Sequence, residues 1–498
     1  MFSCVSDVEE LRKTGTLIDR APAISPDYSG VTIPPNIGPL NFLIKDSAAA
    51  YCIIVRSKNG RSINLLSRSR AVRFPIKQWK ALLARNRGES LYIDVLRQGA
   101  DKKWYRYKPI ENFIAPEATD PYLAYRTISV LYNYSRDICL YQRNLETNRE
   151  SEVLNALNFF PGCCNCHTFL NNDPKTFFIH VRTQDLGNCA LLSQEGKLSK
   201  INAKFQYTSW HPGGKLIAYS INKVDQCFHM TWKDLREVYD HTSGILIYDI
   251  EKKKIVTVPK LFVWNVLETW PAWSPDGRYL YFCSAPIPWT DVNVNPPPDV
   301  DKVKYSLLRI PFDRQKDAWG EIDTVLSSER TGLSISQPRF SPDGRHIVFC
   351  MHNSGPSSYA EKSSDLYLMD VKTGNYAKLS CNSDESESWH SFSSNGRWLA
   401  FSSKRNNGLL TRVYLCHIDS SGNSSKAFVL PQDDPAFYDS FIKVYNVPEF
   451  ATASFPVSQK RLVDAIRGRD KIDVTAPVTR ATPSKKQETD PWPQMQPH

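Results

Sequence analysis

Cys163-Cys164-Asn165-Cys166-His167 sets two thiols three residues apart and follows the second with a histidine. Cys-x-x-Cys-His is the attachment pattern of c-type haem. Two thiols on one short turn reach the two vinyl groups of a porphyrin, and the adjacent imidazole then meets the iron. This reading predicts covalent haem c on Cys163 and Cys166, with His167 as the proximal iron ligand. His229 or Met230, in the irregular stretch 226–240, would be the distal one. Three other readings stay open. The cysteines can be buried strand residues, part of a zinc site, or a redox pair. Zinc would need a second Cys-x-x-Cys or a His pair at ligand spacing, and thioredoxin-like redox chemistry would need a βαβ setting; neither occurs here.

Hydrolytic chemistry has less support. No Gly-x-Ser-x-Gly elbow is present. Asp384, Glu385, Glu387 and Glu268 sit where strands begin, but the sequence cannot bring any two of them to the separation a glycosidase needs. A binding face is the better expectation, from Trp389 and His390 together with Lys404 and Arg405. The competing reading there is hydrogen bonding of His and Ser side chains within the repeat.

The elements that must position these residues repeat. Trp273-Ser274-Pro275-Asp276-Gly277-Arg278 returns as Phe340-Ser341-Pro342-Asp343-Gly344-Arg345 and as Phe392-Ser393-Ser394-Asn395-Gly396-Arg397, with a weaker copy at Trp210-His211-Pro212-Gly213-Gly214-Lys215. Each is a hairpin turn in which Gly takes the φ > 0 position. Copies about 50 to 67 residues apart mark a repeat architecture, because one hairpin cannot bury its own apolar face. A second signature, such as Asp365-Leu366-Tyr367-Leu368-Met369-Asp370, supplies another strand per repeat. Cys166-His167-Thr168-Phe169 aligns with Trp389-His390-Ser391-Phe392. The expected fold is all-β: a six-bladed β-propeller over 119–430, with blades near 119–157, 163–200, 204–258, 268–328, 334–380 and 387–430.

These turns and strands resemble the PD40 repeats of TolB-like propellers, most specifically over residues 200–430. The strap Pro26-Asp27-Tyr28-Ser29-Gly30, the Cys-His motif and the Trp-His blade are also similar to extracytoplasmic TolB-like proteins labelled cytochrome c biogenesis factors. The resemblance implies a binding or scaffolding propeller at the cell envelope, with envelope proteins or a redox partner as its contacts, and implies no activity. The alternative is a haem-carrying propeller in electron transfer.

Residues 40–115 alternate short apolar strands with turns and predict a small β-sandwich-like domain, interrupted by a basic helix at 78–87. Residues 1–39 read as an extended strap, and 451–498 as mostly disordered with a helical turn or two at Gln459–Arg467. Net charge is +10, much of it within 56–87. No nucleic-acid module is recognisable, and no apolar run is long enough to span a bilayer. Phe2-Ser3-Cys4 resembles the end of a lipobox, so Cys4 is a candidate lipid anchor if an export signal lies upstream of Met1. Location would then be periplasmic or outer-membrane-associated, and otherwise cytoplasmic.

Overall fold

A computed structural model describes residues 5–129, 138–159, 162–228, 236–258, 260–263, 265–289, 294, 297–359 and 361–474. Strands dominate, in two assemblies. In the first, a seven-stranded sheet includes Ala50–Arg56, Ser90–Gln98, Trp104–Tyr107 and Ile110–Ile114. It shares a core with a three-stranded sheet (Ile24–Ser25, Phe42–Ile44, Ala71–Val72) and the helix Ile76–Arg85. Tyr51, Ile53, Val95, Phe42 and Trp79 are all buried in that core, and Trp79 Nε1 donates to Ile37 O at 3.0 Å. The leading segment is not a strap. Thr16–Ile18 and Thr32–Ile33 join the sheet as parallel strands, a pairing that local sequence cannot reveal because the partners lie about 80 to 90 residues away.

The second assembly is the propeller. Its six sheets are antiparallel meanders running outward from the central channel. Blades two to six begin with Gly162–Leu170, Gln206–Trp210, Val266–Trp273, Ser334–Phe340 and Glu387–Phe392. Blade one differs. Its three N-terminal strands, Tyr122–Ser129, Cys139–Asn144 and Glu150–Asn155, receive their innermost partner from the far end of the chain, Lys443–Ala451. The ring therefore does not end at residue 430; it closes at 451. Without that strand the backbone N–H and C=O groups on one edge of Tyr122–Ser129 would be left unpaired inside the channel.

The four glycine turns occupy equivalent hairpins, with Gly214, Gly277, Gly344 and Gly396 at φ of 68°, 71°, 71° and 70°. Their side chains show why the phrase recurs. Ser274 Oγ donates to Asp276 Oδ1 at 2.6 Å and accepts from Tyr279 N at 3.0 Å. Ser341 does the same with Asp343 and His346, and Ser393 with Asn395 and Trp398. Blade two uses Asn171-Asn172, both at positive φ, in a two-residue turn.

After closure the chain continues. Ser458 caps the helix Gln459–Arg467, which buries Leu462, Val463 and Ile466 against blades one and two. Ile472–Asp473 then adds a parallel strand to the outer edge of blade two. Residues 451–474 are thus ordered, and the rest of the predicted tail lies outside the described residues. So do Cys4, His229 and Met230.

Candidate functional site

Each innermost strand carries one non-glycine residue in the left-handed region: Val447 (50°), Cys166 (38°), Tyr207 (45°), Trp270 (54°), Gln337 (55°) and Trp389 (48°). Positive φ in bulky residues is rare, so six occurrences at one repeat position are a property of the fold. Each coincides with a break in register between the first two strands of its blade. These are β-bulges, which bend the strand and re-aim its side chains. The bulge residue opens a four-residue unit that ends in an aromatic: Val447-Pro448-Glu449-Phe450, Cys166-His167-Thr168-Phe169, Tyr207-Thr208-Ser209-Trp210, Trp270-Pro271-Ala272-Trp273, Gln337-Pro338-Arg339-Phe340 and Trp389-His390-Ser391-Phe392. The last of these aromatics but Phe450 line the channel with the units themselves.

Together the units enclose a cavity of about 420 Å³, rimmed on the turn side by Pro212, Pro275, Pro342 and Ser394. The opposite end is filled with aromatic rings. Tyr207 stacks on Trp270 at 3.7 Å between centroids, Trp270 meets Trp389 edge-on at 5.2 Å, and Tyr359 stacks on Trp389 at 6.2 Å. Trp270 Nε1 donates to Pro356 O, which ties this floor to the loop beneath it. The Arg126 guanidinium lies 6.0 Å above the Trp389 ring.

The imidazoles and charged groups of the cavity, His167, Arg339, His390 and Glu449, fall on blades two, five, six and one, whereas blades three and four contribute Tyr207, Trp210, Trp270 and Trp273 with only the hydroxyls of Thr208, Ser209 and Ser274 beside them. Glu449 accepts from Thr168 Oγ1 at 3.2 Å and Phe169 N at 3.0 Å. Loss of solvent pushes its carboxyl up to about 7, against the nearby positive charge of Arg339 and those two hydrogen bonds. His390 Nε2 donates to Val348 O of blade five at 2.9 Å. His167 lies near the Ala124 backbone of blade one, but its Nε2 is buried without a hydrogen-bond partner. Burial lowers both imidazoles to about 3, so both are neutral at physiological pH. Arg339 is half-buried, and its guanidinium has no hydrogen bond or ion pair among the described residues.

The Cys-x-x-Cys-His motif forms part of this wall on an extended strand, Gly162–Leu170, instead of on a turn. Cys163 is packed with Cys164, Ile138 and Leu140 in the apolar layer between blades one and two and does not line the cavity, whereas Cys166 does. Burial raises the Cys163 thiol. A porphyrin held by both sulfurs would have to enter that packed layer. The residues do not fit covalent haem.

The expected binding face divides. Trp389 and His390 reach the channel, but Lys404 and Arg405 do not line it. Arg405 Nη2 pairs with the fully buried Glu387 at 2.9 Å, and its guanidinium lies 4.5 Å over the Tyr414 ring. Glu387 also accepts from Ser383 Oγ and Ser403 Oγ. This satisfied cluster holds blade six together. Tyr207, Trp270, Gln337, Arg339 and Glu449 were not singled out by sequence. The signal for Glu449 was present in Val447-Pro448-Glu449-Phe450, which matches Gln337-Pro338-Arg339-Phe340 in two positions of four.

No family model matches the chain, and no curated protein matches it. Among solved structures it is similar to TolB from Acinetobacter baumannii at 13% identity, over 80% of this chain and 82% of that one, with a TM-score of 0.41. It is also similar to the β-propeller domain of Cps50 (Swd1) from Myceliophteria thermophila at 10% identity, over 52% and 65%, with a TM-score of 0.30. Such values carry no activity or partner across. The sheet order and the sixfold bulge make residues 122–451 a six-bladed β-propeller, closed by the strand Lys443–Ala451 around this cavity.

Proposed function

We propose that this protein is a non-enzymatic binding propeller that takes a ligand, or the end of a partner chain, through the turn-side mouth of its channel. The observation that carries the reading is the cavity itself, whose aromatic floor and few convergent charged and polar groups match the composition of small-molecule sites of roughly 300–1,000 Å³. Chemistry is poorly provided for. His390 is engaged with a neighbouring blade, His167 is neutral at physiological pH, and Glu449 is the one carboxylate among the described lining residues, where glycosidases use two.

Hydrogen exchange tests this. Compounds that raise the melting temperature in a screen should protect residues 166–169, 337–340, 389–392 and 447–450. Protection confined to the outer strands or to the N-terminal assembly would remove the channel from consideration. The cell-envelope setting implied by the TolB-like repeats belongs to the same proposal. Fractionation of native cells checks it, and a protein recovered wholly with cytosolic markers would end it.

A further inference from the structure

Arg339 and Glu449 occupy the same position of their repeat units, on blades five and one, and face one cavity. Opposite charges so placed would normally pair, yet no ion pair joins them. Glu449 is already held by Thr168 Oγ1 and Phe169 N on blade two, and Ser391 of blade six stands between the two strands. Arg339 is left half-buried without a counter-charge, an arrangement that costs free energy until an anion arrives. Other donors around it are also unused. Gln337 is buried and its Oε1 accepts from Trp389 N at 2.6 Å, while its Nε2 has no partner, and neither has Ser391 Oγ.

We propose, resting on the channel reading above, that the cavity binds a small molecule or chain end bearing one anionic head group, a carboxylate or a phosphate, with Arg339 as its counter-ion and the Tyr207–Trp270–Trp389 floor beneath its apolar body. A planar guanidinium matches either oxyanion through two parallel hydrogen bonds, which a lysine would not reproduce. The titratable groups lining the cavity are Cys166, His167, Tyr207, Arg339, His390 and Glu449. With the imidazoles neutral and Glu449 protonated, Arg339, together with the Arg126 guanidinium above the Trp389 ring, makes the field there positive. Ionisation of Glu449 opposes the ligand, so affinity for an anion falls as pH rises through about 7.

Benzoate, phenyl phosphate and the neutral benzyl alcohol are the probes, titrated against the full chain by calorimetry with hydrogen exchange on the saturated protein. Benzoate or phenyl phosphate should protect the channel strands and bind at least about 10-fold more tightly than benzyl alcohol. Whichever of the two binds more tightly identifies the head group. Arg339→Gln should remove that preference without lowering the melting temperature, since the guanidinium holds no structural bond and its unpaired charge costs stability. Glu449→Gln should make benzoate affinity independent of pH between 6 and 8, which gives a second readout if Arg339→Gln misfolds; phenyl phosphate changes its own charge in that range. Equal binding of benzoate and benzyl alcohol in the channel, unaffected by Arg339→Gln, would overturn the anion assignment and leave the channel reading standing. Absence of channel protection by all three probes would overturn both.

Discussion

Single residues decide how this propeller responds to pH. Glu449 has its folded pKa raised from 4.5 to about 7, and the buried Asp240, held by Asn222 Nδ2 at 2.7 Å, is raised from 3.8 to about 7 by burial. Below these unfolded values both states are protonated and neither group matters. Between about 4 and 7 the unfolded chain ionises while the folded one keeps its protons, so stability falls as pH rises. His167, His390 and His352, lowered by burial to about 3, 3 and 4, act oppositely: the stability they contribute is present above 6.5 and lost as pH falls toward those values. Stability should therefore be greatest near pH 6 to 7, fall on the acid side, and level off at a lower value once the pH passes about 7. Urea unfolding across pH 5 to 8 checks this, and Glu449→Gln should be the more stable protein at pH 8 by about 1–3 kcal/mol, with the gap closing by pH 5. A gap that does not change with pH would mean that the carboxylate ionises in place without cost. Cys163 gives a second test at this scale. In an apolar layer, Cys163→Ser should lower stability by about 1–3 kcal/mol, and Cys163→Ala by less; equal effects would show that the thiol is not in that layer.

At the scale of the element, the hairpin turn and the closing strand carry the most weight. Gly277 has φ of 71°, and a Cβ there would lie 2.6 Å from His211 Nε2 and 3.2 Å from Pro212 of the preceding turn. Gly277→Ala should cost about 1–3 kcal/mol in chemical denaturation, more than Gly374→Ala, where φ is 73° but nothing lies within 4 Å. Comparable losses would mean that dihedral strain alone explains the turn. The strand Lys443–Ala451 pairs with Tyr122–Ser129 and buries Phe450 completely. Phe450→Ala should cost about 3–5 kcal/mol, and a chain ending at 442 should lose cooperative unfolding because blade one then has an open inner edge. A truncated chain that melts as sharply as the full one would show that closure does not depend on this strand.

For the whole molecule, the two assemblies share one core. Trp398, Val413 and Phe428 of blade six belong to the same buried cluster as Tyr28, Phe42 and Trp79. Asn41 Nδ2 donates to Gln432 O and Asp433 O, and Trp398 Nε1 to Glu117 O. Charge is distributed unevenly over this body. The span 56–87 holds ten Lys and Arg and no Asp or Glu, which equals the entire formal excess of +10. Arg56, Lys58, Arg73 and Lys80 are paired with carboxylates elsewhere in the chain. The excess therefore sits far from the channel in sequence, mostly on the loops and helix of the N-terminal assembly.

Much of this was legible in the chain. The Ser-Pro-Asp-Gly phrase fixes a turn by local hydrogen bonds among residues at most five apart, so the repeat, the all-β class and the six blades could be read without coordinates. The helix Gln459–Arg467 was legible only as a turn or two in a tail read as disordered, because Leu462, Val463 and Ile466 find their partners on blades one and two. Pairings between residues hundreds of positions apart were not readable. Lys443–Ala451 finds its partner more than 300 residues upstream, and Thr32–Ile33 finds Ile110–Ile114 only in the folded sheet. The site followed the same division. Spacing drew attention to Cys163, Cys166 and His167 as one chemical unit, but a strand sends Cys163 into the layer between blades while a bulge leaves Cys166 on the channel. Arg339 and Glu449 look like ordinary surface charges in the sequence, and only ring closure brings them to one cavity. Local chemistry determines turns and repeats, while long-range burial decides which side chains meet.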